Sequence, residues 1–282
     1  MLYGATALID VGLIFAALAA ASWGTFFVPV RKVGITNIWQ LQGATSVGVI
    51  LFAIPIGFFW GFDIQIWGIL SGIIWSLANL LALYSVKLIG LARAPPFIAG
   101  FGIMISFTWG ILFLNETFHS LVLALIAIGL LAGGLPLVSG AEKNLPVRKK
   151  GFLFAAASGL VGGSYIIPMQ ATHTLQSGFF SSSLSIFIIG VPLLLLARRF
   201  IKKEIIAGVF SGSLFNLGSL SVLIAVGLLG ISLAFPLSQT ATLLAVSWGL
   251  LYFKEVVKKQ GILRIVAGAT IILSGAILLI FA

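Results

Sequence analysis

The sequence predicts an all-α integral membrane protein of about ten transmembrane helices, arranged as two inverted five-helix repeats. Three observations carry that expectation: an apolar composition broken into spans of membrane length, an internal repeat, and a one-sided distribution of basic residues.

Hydrophobic residues fill 60% of the 282 positions and charged residues only 8%. A soluble domain needs roughly a quarter of its residues charged to cover its surface, so a water-soluble fold is excluded. The net charge of +10 comes from 16 Lys and Arg residues. They occur as short clusters between apolar runs, which suits a membrane surface and not nucleic acid. Cysteine is absent, which removes disulfides, thiolate metal sites and thiol nucleophiles. Ala19-Ala20-Ala21 imitates a signal-peptide cleavage site. No basic segment precedes that apolar run and the run has a twin later in the chain, so it is expected to be retained.

Spans are expected at residues 12–30, 38–60, 64–86, 95–114, 120–138, 151–169, 178–197, 205–226, 234–253 and 262–281. Each is near the roughly 20 residues that cross a bilayer. The divisions are 1–141 for the first repeat, 142–150 for a basic linker and 151–282 for the second repeat. Three blocks align at a nearly constant offset. Gly12-Leu13-Ile14-Phe15-Ala16-Ala17 answers Gly151-Phe152-Leu153-Phe154-Ala155-Ala156, after which Gly24, Thr25 and Pro29 answer Gly163, Ser164 and Pro168. Gly68, Ser71, Gly72, Gly90 and Pro96 answer Gly208, Ser211, Gly212, Gly230 and Pro236. Trp109-Gly110-Ile111-Leu112-Phe113-Leu114-Asn115-Glu116 answers Trp248-Gly249-Leu250-Leu251-Tyr252-Phe253-Lys254-Glu255. Apolar bias alone would align Leu and Ala, but not Gly, Pro, Trp and Glu in register.

An odd number of spans per repeat makes the second copy enter from the opposite face. The charges agree. Arg31, Lys32, Lys87 and Arg93 follow the first and third spans of one repeat, whereas Arg198, Arg199, Lys202, Lys203, Lys254, Lys258, Lys259 and Arg264 follow the second and fourth spans of the other. All then fall on one side, with Asp10, Asp63 and Glu116 opposite. The positive-inside rule makes the basic side cytoplasmic and both termini external. The small-xxx-small pairs Gly68/Gly72, Gly159/Gly163, Gly208/Gly212 and Ala20/Gly24 are expected to be helix-packing sites.

Inverted repeats imply alternating access to a midplane site. Pro29 and Pro168 lie at matching places and withdraw a backbone donor from the carbonyls of Thr25 and Ser164. They are candidate gating turns, or kinks with a local hydroxyl partner. Glu116 and Glu255 are matching gating candidates at span ends, although a solvated helix end is the plainer expectation for both. Cavity candidates are Trp23, Thr25, Phe27, Trp75, Asn79, Ser164, Tyr165, Asn216, Gln239 and Thr240. Amides within lipid are costly unless paired or wet, so Asn79 and Asn216 should point inward, to hold either solute or a neighbouring helix. Aromatic faces beside amides and hydroxyls suit a neutral polyol such as a sugar. For Trp109 and Trp248, near span ends, an interfacial belt is preferred.

No charged residue is expected at the centre of a span, which favours a neutral or zwitterionic solute. His119 and His173 lack neighbours at ligand spacing, so no metal and no cofactor is expected. No nucleophile triad, phosphate loop or paired carboxylate supports an enzyme. A proton is one coupling ion that the residues leave open.

Two repeats that each end a span in Trp-Gly-x-Leu-(Phe/Tyr)-x-x-Glu resemble the drug/metabolite transporter superfamily, the EamA-like ten-helix carriers. Ala20-Ala21-Ser22-Trp23-Gly24-Thr25-Phe26-Phe27-Val28-Pro29-Val30-Arg31-Lys32 resembles the first helix of its glucose/ribose porter and rhamnose transporter branches. Gly72-Ile73-Ile74-Trp75-Ser76-Leu77-Ala78-Asn79 and Val86-Lys87-Leu88-Ile89-Gly90-Leu91-Ala92 are similar to the third helix and its exit there. The resemblance implies a multi-pass carrier in the cell membrane that takes up a small neutral metabolite, a sugar preferred, with Trp75 and Asn79 in its cavity. Members are usually drawn with cytoplasmic termini, the reverse of what the charges favour here. Its partners would be the solute and membrane lipid, not nucleic acid, with the oligomeric state open. The nearest alternative is an amino-acid or aromatic-metabolite exporter or exchanger. A membrane scaffold or a lipid translocator belongs to another class.

Overall fold

The structure, a computed structural model, describes residues 2–114, 120–139, 149–165, 168, 175–197, 200–229, 234, 237–278 and 281. Among these residues every regular element is helical. The helices are α1 (Leu2–Thr25), α2 (Val28–Val33), α3 (Ile38–Trp60), α4 (Ile66–Ile89), α5 (Ala94–Leu114) and α6 (Leu121–Ser139). They are followed by α7 (Lys149–Ser164), α8 (Leu175–Leu195), α9 (Lys202–Leu229), α10 (Ala241–Ser247) and α11 (Lys259–Leu278). A π-helical turn, Trp248–Tyr252, continues α10.

Six of the helical segments are long and apolar enough to cross a membrane: Ile9–Val33, Ile38–Trp60, Ile66–Ile89, Gly178–Leu195, Lys202–Leu229 and Lys259–Leu278. Their outer faces stay apolar. Phe58, Phe59 and Leu195 are all largely exposed, with Phe59 at 86%, an arrangement that lipid accommodates and water does not. This is a multi-pass membrane protein.

The chain breaks where its residues cannot continue a helix. Pro29 has no N–H to offer Thr25, so α1 stops at Thr25 and the chain turns through Phe26 and Phe27 before α2 resumes. The expected span 12–30 is thus two helices. The chain leaves α4 at Gly90 with φ +83°, a left-handed conformation open to glycine at little cost. Pro95 and Pro96 stand in the first turn of α5, where a missing donor costs little.

The packing has an internal order. α1 lies against α9 as α7 lies against α4, α3 against α9 as α8 against α4, and α1 against α10 as α7 against α5. The remaining extensive pairs, α3 with α8 and α6 with α11, join equivalent elements. Glycines set the closest crossings. A Cβ on Gly212 would run into the Thr45 backbone of α3, and one on Gly72 into Ser182 and Ser185 of α8. Small residues here let backbones approach to van der Waals contact, the main attraction between helices in lipid.

Candidate functional site

Inside the bundle three aromatic residues, one from α4 and two from α1 and the turn that follows it, meet Phe215 of α9. Trp75 of α4 tilts against it with ring centroids 4.1 Å apart, Trp23 of α1 stacks at 6.4 Å, and Phe26 follows at 5.7 Å. The Trp23 indole donates to the Phe215 carbonyl at 3.2 Å. Trp75 and Phe215 occupy equivalent positions at the repeat offset, so this aromatic centre is a contact between equivalents. Phe27, on the turn, is buried in the neighbouring core with Val30 and Leu91.

Two corners flank this centre. At one, the Trp248 indole donates to the Thr25 hydroxyl at 3.2 Å, while Ser211 Oγ donates to the Phe26 carbonyl beside the Pro29 break. At the other, the Trp109 indole donates to the Ser164 hydroxyl at 2.8 Å, while Ser71 Oγ donates to the Tyr165 carbonyl at 3.1 Å. Each residue of one corner has its sequence equivalent in the other. The Ser211 and Ser71 hydroxyls thus bond carbonyls where α1 and α7 stop, one residue past those of Thr25 and Ser164. Trp109 and Trp248, expected in an interfacial belt, spend their indole N–H groups on hydroxyls of distant helices. An indole N–H turned inward needs an acceptor, and the hydroxyls of Thr25 and Ser164 supply it.

Thr25, Ser164 and Tyr165 are half-buried, as are Gln239 and Thr240 ahead of α10, so all five keep some open surface. Thr240 Oγ1 donates to the Leu237 carbonyl at 2.6 Å. Pro29 and Pro168 are half-buried as well. Asn79 and Asn216 are buried and spend their amides on helices. Asn79 Nδ2 donates to Gln42 Oε1 at 2.7 Å, and Asn216 Nδ2 donates to the Val49 carbonyl at 2.9 Å and to Ser183 Oγ at 3.1 Å. Of the two roles open to them, the helix-holding one is the one seen here.

Glu255 departs from the expected solvated helix end. Its carboxylate accepts from Arg31 Nε at 2.9 Å, from the Leu91 amide at 3.0 Å and from the Ala92 amide at 2.7 Å. Its side chain is 6% exposed, against 30% for Arg31. Two backbone N–H groups and a guanidinium leave the anion little need of water. Glu116 lies outside the described residues, as do His119, His173 and residues 140–148, most of the expected linker.

Nothing in the sequence pointed to Glu204, in the first turn of α9. It is fully buried, and its carboxylate accepts from the Thr36 amide at 2.9 Å, the Thr36 hydroxyl, the Asn37 amide at 3.3 Å and Gln40 Nε2 at 3.4 Å. Gln40 completes the joint by pairing its amide with both backbone groups of Ile201, at 3.0 and 2.9 Å. The one signal available was a Glu after two lysines at a helix start, which reads equally as a solvated first turn.

No group of three or more His, Cys, Asp or Glu side chains that could hold a metal ion occurs among the described residues. A membrane bundle with an aromatic, uncharged centre and polar corners is suited to holding a small neutral solute. Comparison with known proteins agrees. The model of the family described as "Sugar transport protein" matches residues 14–282. The chain belongs to this family. The family is one of transporters and not of enzymes, and the chain is a sugar transporter of the cell membrane. The glucose uptake protein GlcU of Bacillus subtilis is 25% identical over 95% of this chain and 97% of its own. A Latilactobacillus sakei protein carrying the provisional name of ribose uptake protein RbsU is 25% identical, over 93% of this chain and 96% of its own. A Listeria monocytogenes protein provisionally named for sugar uptake is 26% identical over 95% and 97%. A crystal structure superposes with a TM-score of 0.55 over 95% of both chains at 15% identity, a likeness of fold alone.

Proposed function

We propose that this sugar transporter is a secondary carrier built from two inverted five-helix repeats, 1–141 and 151–282, that moves a neutral monosaccharide by alternating access. The observation that carries the reading is the duplication of the corners. Trp248 reaches Thr25 as Trp109 reaches Ser164, and each bond joins one repeat to the other. Equivalent contacts on either side of one aromatic centre are what two interchangeable gates require. The exchange of packed helix pairs supports it further.

In this reading Trp23, Trp75 and Phe215 present flat faces to the C–H side of a sugar ring, and Thr25, Ser164, Tyr165, Gln239 and Thr240 address its hydroxyls. Asn79 and Asn216 hold the helices that carry the stacking residues. The two-repeat plan supports placing the chain in the wider EamA-like superfamily.

The test is uptake by the purified protein in proteoliposomes, with radiolabelled glucose and ribose supplied separately. Saturable uptake of either, reduced at least about tenfold by Trp23→Ala or Trp75→Ala through loss of aromatic contact, is the expected result. Movement of amino acids without sugars would replace the sugar reading. For the inverted plan, single cysteines at Lys32 and Lys202 should react with an impermeant thiol reagent from the same face.

A further inference from the structure

Glu255 and Trp248 stand at the two ends of one short stretch of the second repeat, and Arg31 and Thr25 at the two ends of one short stretch of the first. The two stretches lie side by side. Trp248 bonds Thr25 at the inner end and Glu255 bonds Arg31 at the outer end. Between them, Phe253 lies 5.9 Å beneath the Arg31 guanidinium, and Gly249 packs against the Ala92 backbone.

Both stretches contain a break in regular helix. The first holds the turn at Phe26 and Phe27 ahead of Pro29, and the second holds the π-helical turn Trp248–Tyr252. Such interruptions give a helix end a place to swing. The outer end is also conditional on one conformation. The Glu255 carboxylate fits over Gly90 only because no Cβ is there, and the amides of Leu91 and Ala92 point at it as the chain leaves α4.

We propose that this seam, from Thr25–Trp248 to Arg31–Glu255, is the gate on the basic face of the carrier and opens as one unit. Glu255 is its latch and Arg31 and the amides of Leu91 and Ala92 are the catch. The proposal rests on the carrier reading above, but its readout needs no solute, so the two can fail separately.

The absence of native cysteine makes the test direct. Val30, on α2, is 0% exposed in the core beneath the seam, and Ala53, on α3, is equally buried away from it. V30C in otherwise unaltered protein in proteoliposomes should react slowly with an impermeant thiol reagent offered to the basic face. Adding E255Q, R31Q or G90A should raise that rate at least about tenfold, because each removes a different part of the latch. G90A does so without touching either charge. A53C should stay slow with all three. An unchanged V30C rate in the three double variants overturns the proposal, and so does a matching rise at A53C, which would mean general loosening.

Discussion

Two carboxylates from the later part of the chain bind its earlier part. Glu204 meets Thr36, Asn37 and Gln40, whereas Glu255 meets Arg31, Leu91 and Ala92. The surroundings differ in kind. Glu204 sits in the first turn of a long helix, α9, and faces the start of another, α3, through Thr36 and Asn37, which lead into it. Each side of the contact is the N-terminal end of a long helix, and helix N-termini favour an anion. Glu255 follows a π-helical turn and a residue with positive φ, Lys254, and it meets a chain that has just left α4 at a left-handed glycine. The same chemical group is a fixed joint where two long helices begin, and a releasable one beside a π-helical turn and the left-handed Gly90.

The largest expected effect lies at the fixed joint. Glu204→Ala would leave the amides of Thr36 and Asn37 and the side chain of Gln40 without their buried acceptor, at a cost of about 3 kcal/mol in all. Thermal unfolding in detergent should show it, and a change below about 1 kcal/mol would erase the distinction from Glu255. Glu255→Gln should cost only about 1 kcal/mol, since Arg31 keeps partial access to water. Its larger consequence should be faster labelling at V30C.

Trp248→Phe sharpens the contrast. Losing one indole donor should cost about 1 kcal/mol in unfolding. It should also speed V30C labelling while leaving the Gln40–Ile201 joint as protected from hydrogen exchange as before. Trp109→Phe should cost about the same, and unequal costs would argue against equivalence of the corners. The smallest effect is expected for Asn216→Leu, about 0.6 kcal/mol, the mean for interhelical hydrogen bonds in membranes. Binding of a labelled sugar should survive it, since this amide reaches Val49 and Ser183 and not the aromatic centre.

Much of the fold was legible because it is local. Span positions follow from runs of apolar residues, and the expected 38–60 and 95–114 lie within one residue of Ile38–Trp60 and Ala94–Leu114. Pro29 announced a break because a missing N–H acts within one helical turn. The pairs Trp109/Trp248 and Ser71/Ser211 were legible as well, matched by residue type alone. What those residues touch was not. A tryptophan near a span end suits an interfacial belt as well as a corner bond, and a glutamate near a span end suits water as well as a latch. Glu204 looked like surface because its partners lie in a distant part of the chain.

By itself the sequence determined that this chain lives in lipid and where many of its helices run and break. These are consequences of backbone hydrogen bonding and transfer free energy, which act over a few residues at a time. The tertiary structure alone decided which polar side chains bond to helices, which surround the aromatic centre and which carboxylate is a joint or a latch. Those roles depend on where a partner from a distant part of the chain arrives, and on the backbone that carries it there.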